Sequence, residues 1–377
     1  MTDIKHLKNF CALPFHHLYV KTEGNFLVCC KHADTDYFNI QKHSAKEWLS
    51  SDYLQEVRES FLQDKQHPNC HACWRHEKNG FTSMRNRSHK EYQIFGIDVD
   101  NPRVNVLEIA FGNTCNLKCL MCKEQNSSSI LHENKILGVN QFEQQDFQWN
   151  DKAIEHVKEV LQEMKPKLLN VRGGEPLYEK RLFKLLDEIS EQDAKKMILH
   201  ISTNATLWND KWKKMLRKFQ LIRFMFSVDA INEQYEYIRY PADWNTTSDN
   251  ILKINAMPNT KCLVHTVVMN LNIMHLKPLI DWCTQNDLFL DVDTIQTPSF
   301  YRIDNLLPDL KAKAIAHCND ILDHQDTPQH IVDFIESCKK TLTSSTNNIT
   351  DTRWNDFLNY VTPRDNYRNK TYLTNLS

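Results

Sequence analysis

The chain has 377 residues, 41% of them apolar and 25% charged, the balance of a globular protein with a sizeable core. Its 46 Lys and Arg nearly cancel its 48 Asp and Glu, leaving a formal net charge of −2, which argues against a nucleic-acid binder. No run approaches the roughly twenty apolar residues of a membrane span, so no membrane partner is expected.

The length calls for one large domain with accessories, or for two to three domains. The opening MTDIKHLKNFCALPF is polar and lacks the apolar run of a signal peptide, so the expected location is cytoplasmic. In a reducing compartment the twelve cysteines read as metal ligands or catalytic groups rather than disulfides. Cys11, Cys29, Cys30, Cys70 and Cys73 form one group and Cys115, Cys119 and Cys122 another. Cys262, Cys283, Cys318 and Cys338 stand apart in apolar or helical contexts and read as inert core. Only seven glycines occur, so each should mark a backbone demand; Gly24 and Gly80 flank the early cysteines, Gly112 precedes the triplet, and Gly173–Gly174 form a pair.

In chain order, residues 1–90 are rich in Cys and His and weakly periodic, with one helix expected over 44–64, opened by a Ser44/Glu47 capping box. Strands are then expected at 104–111, 168–174, 197–203, 221–229, 262–270 and 288–296, with helices between them. Six strands alternating with helices predict an α/β fold with a parallel sheet, doubly wound or an open barrel. Residues 308–360 read as two or three amphipathic helices, and the Asn/Thr-rich tail after 361 as loosely ordered.

The stretch FGNTCNLKCLMCKEQ (111–125) puts Cys115, Cys119 and Cys122 just beyond the first strand, at the carboxyl end where βα architectures build active sites. The C-x3-C-x2-C spacing matches neither paired zinc knuckles nor ferredoxin runs. Three thiolates on a [4Fe–4S] cube leave one iron open, as a catalytic cluster requires. A zinc or structural cluster site is the alternative for the triplet taken alone.

CNLKCLMC resembles the signature of the radical S-adenosylmethionine (SAM) superfamily. The resemblance implies that SAM chelates the open iron of a [4Fe–4S] cluster and is reductively cleaved to methionine and a 5′-deoxyadenosyl radical, which abstracts a hydrogen atom from substrate. RGGEP (172–176) resembles the family's Gly-Gly-Glu-Pro motif, which implies that Gly173, Gly174 and Glu175 receive the SAM ammonium. STNAT (202–206) resembles STNGT and brings in Ser202 and Asn204; SVD (227–229) resembles S-x-D-G and assigns Ser227 and Asp229 to ribose hydroxyls or the methionyl part. Arg239 of YEYIR falls where relatives place an arginine for the SAM carboxylate, and VVMN (267–270) lies near the expected adenine. The chain departs from the family at Met121, usually aromatic, and at Ala205 and Ala230, usually glycine.

Cys11, Cys29, Cys70 and Cys73 resemble the ligands of the twitch module, the short relative of SPASM, which holds an auxiliary [4Fe–4S] cluster. Here the module precedes the barrel. Cys30 is a spare or an alternative to Cys29, and a four-cysteine zinc site is the competing reading. The expected architecture is thus a partial (β/α)6 TIM-like barrel: residues 1–95 as twitch-like module, 96–300 as radical SAM barrel and 301–377 as helical extension. The implied partners are a reductant such as flavodoxin or ferredoxin and a substrate. A peptide or protein is the favoured substrate, with a small molecule undergoing dehydrogenation or rearrangement as the alternative. A non-catalytic metal-binding interaction protein is the reading from a different class.

Overall fold

The computed structural model describes residues 4, 6–33, 35, 37–78, 82–88, 96–139, 147–344 and 351–371. Gly80 lies outside the described residues. Eight strands form one sheet in the order β2-β1-β3-β4-β5-β6-β7-β8. They are β1 (His17–Val20), β2 (Phe26–Leu27), β3 (Val106–Ala110), β4 (Leu168–Arg172), β5 (Ile198–Thr203), β6 (Leu221–Ser227), β7 (Thr260–Val268) and β8 (Phe289–Thr294). The six expected strands are all present, and β1 pairs parallel with β3 to extend the sheet beyond them. β3–β4, β4–β5 and β7–β8 are also parallel, while β1–β2 is an antiparallel edge.

The strands form where apolar runs bury one full face. Leu18, Leu107, Ile109, Leu169, Val171, Leu199 and Ile201 are each at most 1% exposed, as in a sheet covered by helices. No helix among the described residues is long and apolar enough to cross a membrane.

The helix expected over 44–64 is two helices, Ala45–Leu49 and Asp52–Leu62. Ser44 and Glu47 make the capping box, but Ser51 Oγ accepts from Leu54 N and starts the second helix afresh. The tail departs further from expectation. Three helices follow the sheet, Pro308–Leu322, Gln329–Ser344 and Asp351–Arg368, and the last runs seven residues beyond 361. Tertiary ion pairs hold it there despite Pro363 and poor intrinsic propensity.

The chain divides into two compact units. The first comprises Met1–Cys115, Gln144–Ile201 and Asn209–Ile222; the second comprises Asn116–Glu143, Ser202–Trp208 and Arg223–Ser377.

Candidate active site

In the first unit, Cys115 ends the loop after β3, and that loop is laced to the end of β4. Phe111 N donates to Arg172 O (2.7 Å), Gly174 N to Gly112 O (3.1 Å) and Glu175 N to Thr114 O (2.8 Å). The approach is too close for side chains. Gly173 has φ +132°, and a Cβ there would lie 2.7 Å from Phe111 N; a Cβ at Gly174 would sit on the Thr114 carbonyl. Glu175 is 2% exposed and its Oε1 accepts from Leu177 N at 2.9 Å.

Four thiols of the same unit, those of Cys11, Cys29, Cys70 and Cys73, line one small cavity together with Lys31, His32 and Arg85. Burial pushes Cys11 up to about 12 and Cys70 up to about 12, and raises Cys29 well above the usual thiol range; neighbouring thiols add to all three. Without a metal these groups are neutral thiols. Convergent thiols flanked by two cations suit an anionic thiolate-ligated cluster. Cys30 turns away from that cavity. It packs against Tyr19, Leu27 and Ala110, and its thiol hydrogen-bonds the Arg172 guanidinium. His32 and His67 go unremarked in the sequence, yet they stack 5.9 Å apart and bring ligand atoms within 4.8 Å of one another and of Cys70. Sequence distance hides them, with only the HPNC run as a local signal.

The second unit holds Cys119, Cys122, Ser202, Asn204, Ser227, Asp229 and Arg239. Cys119 is 3% exposed and Cys122 is half-buried, joined by a turn in which Cys122 N donates to Cys119 O at 3.0 Å. A hydrogen bond from Cys122 and the Arg239 charge outweigh burial and hold the Cys119 thiol below its ordinary range. Arg239 Nη2 lies 2.8 Å from Asp229 Oδ2, and Nη1 donates to Cys119 Sγ at 3.8 Å. Asp229 Oδ1 accepts from Val267 N at 3.0 Å. The side chains of Asn116, Asn204 and Thr206 bond in a ring (2.7–3.1 Å), tying the cysteine loop to the end of β5. Ser202 and Ser227 sit half-buried near the carboxyl ends of β5 and β6. Ala205 adopts φ +57°, so the backbone there still takes the conformation that suits glycine.

Cys122 opens on a cleft of about 360 Å³, lined also by Lys123, Glu124, Phe300, Tyr360 and Arg364. The C-terminal helix supplies one wall and is anchored through buried charge. Arg368 bonds both Glu133 oxygens (2.9 and 2.6 Å) and the Lys118 carbonyl (2.8 Å), Arg364 bonds Asn134, and Tyr237 Oη donates to Asp365 at 3.1 Å.

Residues 109–283 match the radical SAM superfamily, and residues 11–74 match SPASM, an iron–sulfur cluster-binding domain. Among curated proteins, the chain is similar to the GTP 3′,8-cyclase of Desulforamulus reducens, 27% identical over 136 residues, 36% of this chain and 38% of that protein. It is also similar to the probable GTP 3′,8-cyclase of Methanocaldococcus jannaschii, 24% identical over 190 residues, 50% of this chain and 58% of that one. The matched region thus spans about two fifths to three fifths of these relatives. Among solved structures, native anSMEcpe with bound AdoMet aligns at TM-score 0.42 and 19% identity, covering 62% of this chain and 61% of that one. Streptococcus suis SuiB bound to precursor peptide SuiA aligns at 0.40 and 16%, covering 75% and 63%. The two matched domains imply a [4Fe–4S] cluster and SAM. The chain thus carries a match to the radical SAM domain at residues 109–283, with a match to the SPASM iron–sulfur cluster-binding domain at residues 11–74, N-terminal to it.

Proposed function

We propose that this enzyme removes a hydrogen atom from a small molecule bound beside Cys122, the alternative that the sequence leaves open next to a peptide. The observation that carries this reading is the cleft of about 360 Å³ on which Cys122 opens. Pockets of roughly 300–1,000 Å³ take one drug-sized molecule. A peptide would have to enter it by a single side chain. The curated relatives are named for a reaction on a nucleotide, which fits the same size class.

In this reading Cys115, Cys119 and Cys122 hold the open cluster, and Cys11, Cys29, Cys70 and Cys73 hold the auxiliary one. The glycine pair lets backbone approach the SAM amino group while Glu175 supplies a complementary charge. Arg239 and Asp229, charge-paired and buried, orient one another and place a cation against Cys119. Ser202, Asn204, Ser227 and the Asp229 carboxylate belong to the cofactor side of the site. Bound there, the reduced cluster and SAM supply the low-potential electron and the hydrogen-atom abstraction. A cytoplasmic flavodoxin or ferredoxin is the fitting electron source.

The test uses anaerobically purified, reconstituted protein. About eight irons per chain, and 5′-deoxyadenosine released from SAM under reduction, are expected. Deuterium at the sugar carbons of GTP should appear in that product. Zinc in place of iron, or no cleavage with all three cysteines intact, refutes the SAM reading. Cleavage that never takes deuterium from GTP, but does so from a deuterated peptide, refutes the small-molecule reading.

A further inference from the structure

One face of the first unit's sheet is apolar, as a covered parallel sheet should be. The other face breaks the rule, most fully at one level. Tyr19 on β1 is in register with Glu108 on β3, Glu108 with Asn170 on β4, and Asn170 with His200 on β5. In a parallel sheet, registered partners project to the same side, so four polar side chains stand shoulder to shoulder across four strands.

The charges in this row already answer one another. Glu108 is 4% exposed; its Oε2 meets His17 Nε2 at 3.1 Å and its Oε1 meets the Arg172 guanidinium. Arg172 also lies over the Tyr19 ring, 5.0 Å from its centroid. A buried carboxylate so neutralised asks for no ionic ligand. Asn170 is different. Its Oδ1 is buried and has no hydrogen-bond partner among the described residues. A buried amide left so is costly unless something else completes it. β4 ends two residues on, at Arg172, and the glycine pair laced to the cysteine loop follows at Gly173, three residues beyond Asn170.

We propose that the Tyr19–Glu108–Asn170–His200 row is a recognition site for a neutral planar group bearing an adjacent N–H and C=O, that is, an amide or lactam edge. A carboxamide offers one acceptor and one donor side by side, and pairs bidentately with such an edge. The edge has two chemical sources, a nucleobase lactam or a peptide amide. This inference goes beyond the reading above and concerns the first unit by itself.

The experiment measures equilibrium binding to reconstituted holoenzyme with SAM, using GTP, ATP and N-acetylalanine N-methylamide as probes. Iron content and SAM binding of the wild type are read first, so that failure of the radical SAM site is seen separately. GTP binding more tightly than ATP, weakened about tenfold or more in Asn170→Ala, supports a nucleobase lactam. Binding of the capped alanine with the same sensitivity supports a peptide amide. The isosteric Asn170→Asp, which keeps the shape and removes the donor, should weaken the probe as well; it serves where Asn170→Ala loses iron or folds poorly. Equal binding of GTP and ATP without Asn170-sensitive binding of the capped alanine, no binding of any probe to iron-replete wild type, or unchanged affinity in both variants overturns the proposal.

Discussion

The Arg239 guanidinium is shared between an acid and a thiol, 2.8 Å from the Asp229 carboxylate and 3.8 Å from the Cys119 sulfur. Both acid and thiol are buried, so the cation does two jobs at once. Arg239→Gln should leave Asp229 uncompensated and cost about 3–5 kcal/mol of stability. Asp229→Asn in the same chain should return most of that loss. Removing a positive charge beside the sulfur should also lower the midpoint potential of the cluster at that loop, read by EPR-monitored titration. Unchanged stability and potential would show that the pair is idle.

Ala205 sits at φ +57°, where an L side chain costs roughly 1–2 kcal/mol. Ala205→Gly should therefore stabilise the protein by about 1 kcal/mol after the added unfolded-state entropy of glycine. Ala230, the other departure from a glycine position, is not among the positive-φ residues, so the same substitution there should destabilise. Urea midpoints of the two variants, moving in opposite directions, check the argument.

Gly174→Ala should push the end of β4 off the Thr114 carbonyl and separate two loops that now share backbone hydrogen bonds. Equilibrium dialysis should show SAM binding lost, while the iron of the auxiliary site stays in place. A variant that binds SAM normally would mean that the strand end has room the geometry does not show.

Cys29 and Cys30 are adjacent in sequence but face different neighbours. Cys29→Ala should lose about four irons per chain, whereas Cys30→Ala should keep them. Iron loss from Cys30→Ala, with Cys29→Ala fully loaded, would reverse the ligand assignment.

His16 is 1% exposed, and burial lowers its pKa from the ordinary 6.5 to about 3, with the neighbouring His17 adding to the shift. The fold prefers the neutral ring. Its contribution is complete above pH 6.5, shrinks as pH falls because the unfolded chain takes up the proton first, and levels off below about 3. Stability measured by urea should fall across that window, and His16→Leu should flatten the fall. An identical slope in the variant would assign the loss to other groups.

The six strands and the Cys115/Cys119/Cys122 motif are legible in the sequence because each is local: an apolar run, or thiols a few residues apart. Helix punctuation is less legible. Ser50–Ser51 splits the 44–64 helix only because the Ser51 hydroxyl finds Leu54 N, a choice that propensity alone does not make. The Tyr19–Glu108–Asn170–His200 row is invisible until register aligns four strands, since each residue alone looks like a stray polar in an apolar run. The C-terminal helix is the hardest case. Its composition argues for disorder, and what holds it are arginines bonded to acids and amides more than two hundred positions away.

Those long-range bonds carry a consequence for assembly order. Arg364 reaches Asn134 across 230 positions, and Arg368 reaches Glu133 across 235 and Lys118 across 250. The segment bearing Cys119 and Cys122 thus waits until the helix Asp351–Arg368 has been made before these supporting contacts exist. On the proposed ligand assignment, metal delivery to that loop belongs after this helix has docked, and a chain cut before Asp351 would meet the delivery machinery with the loop unbraced.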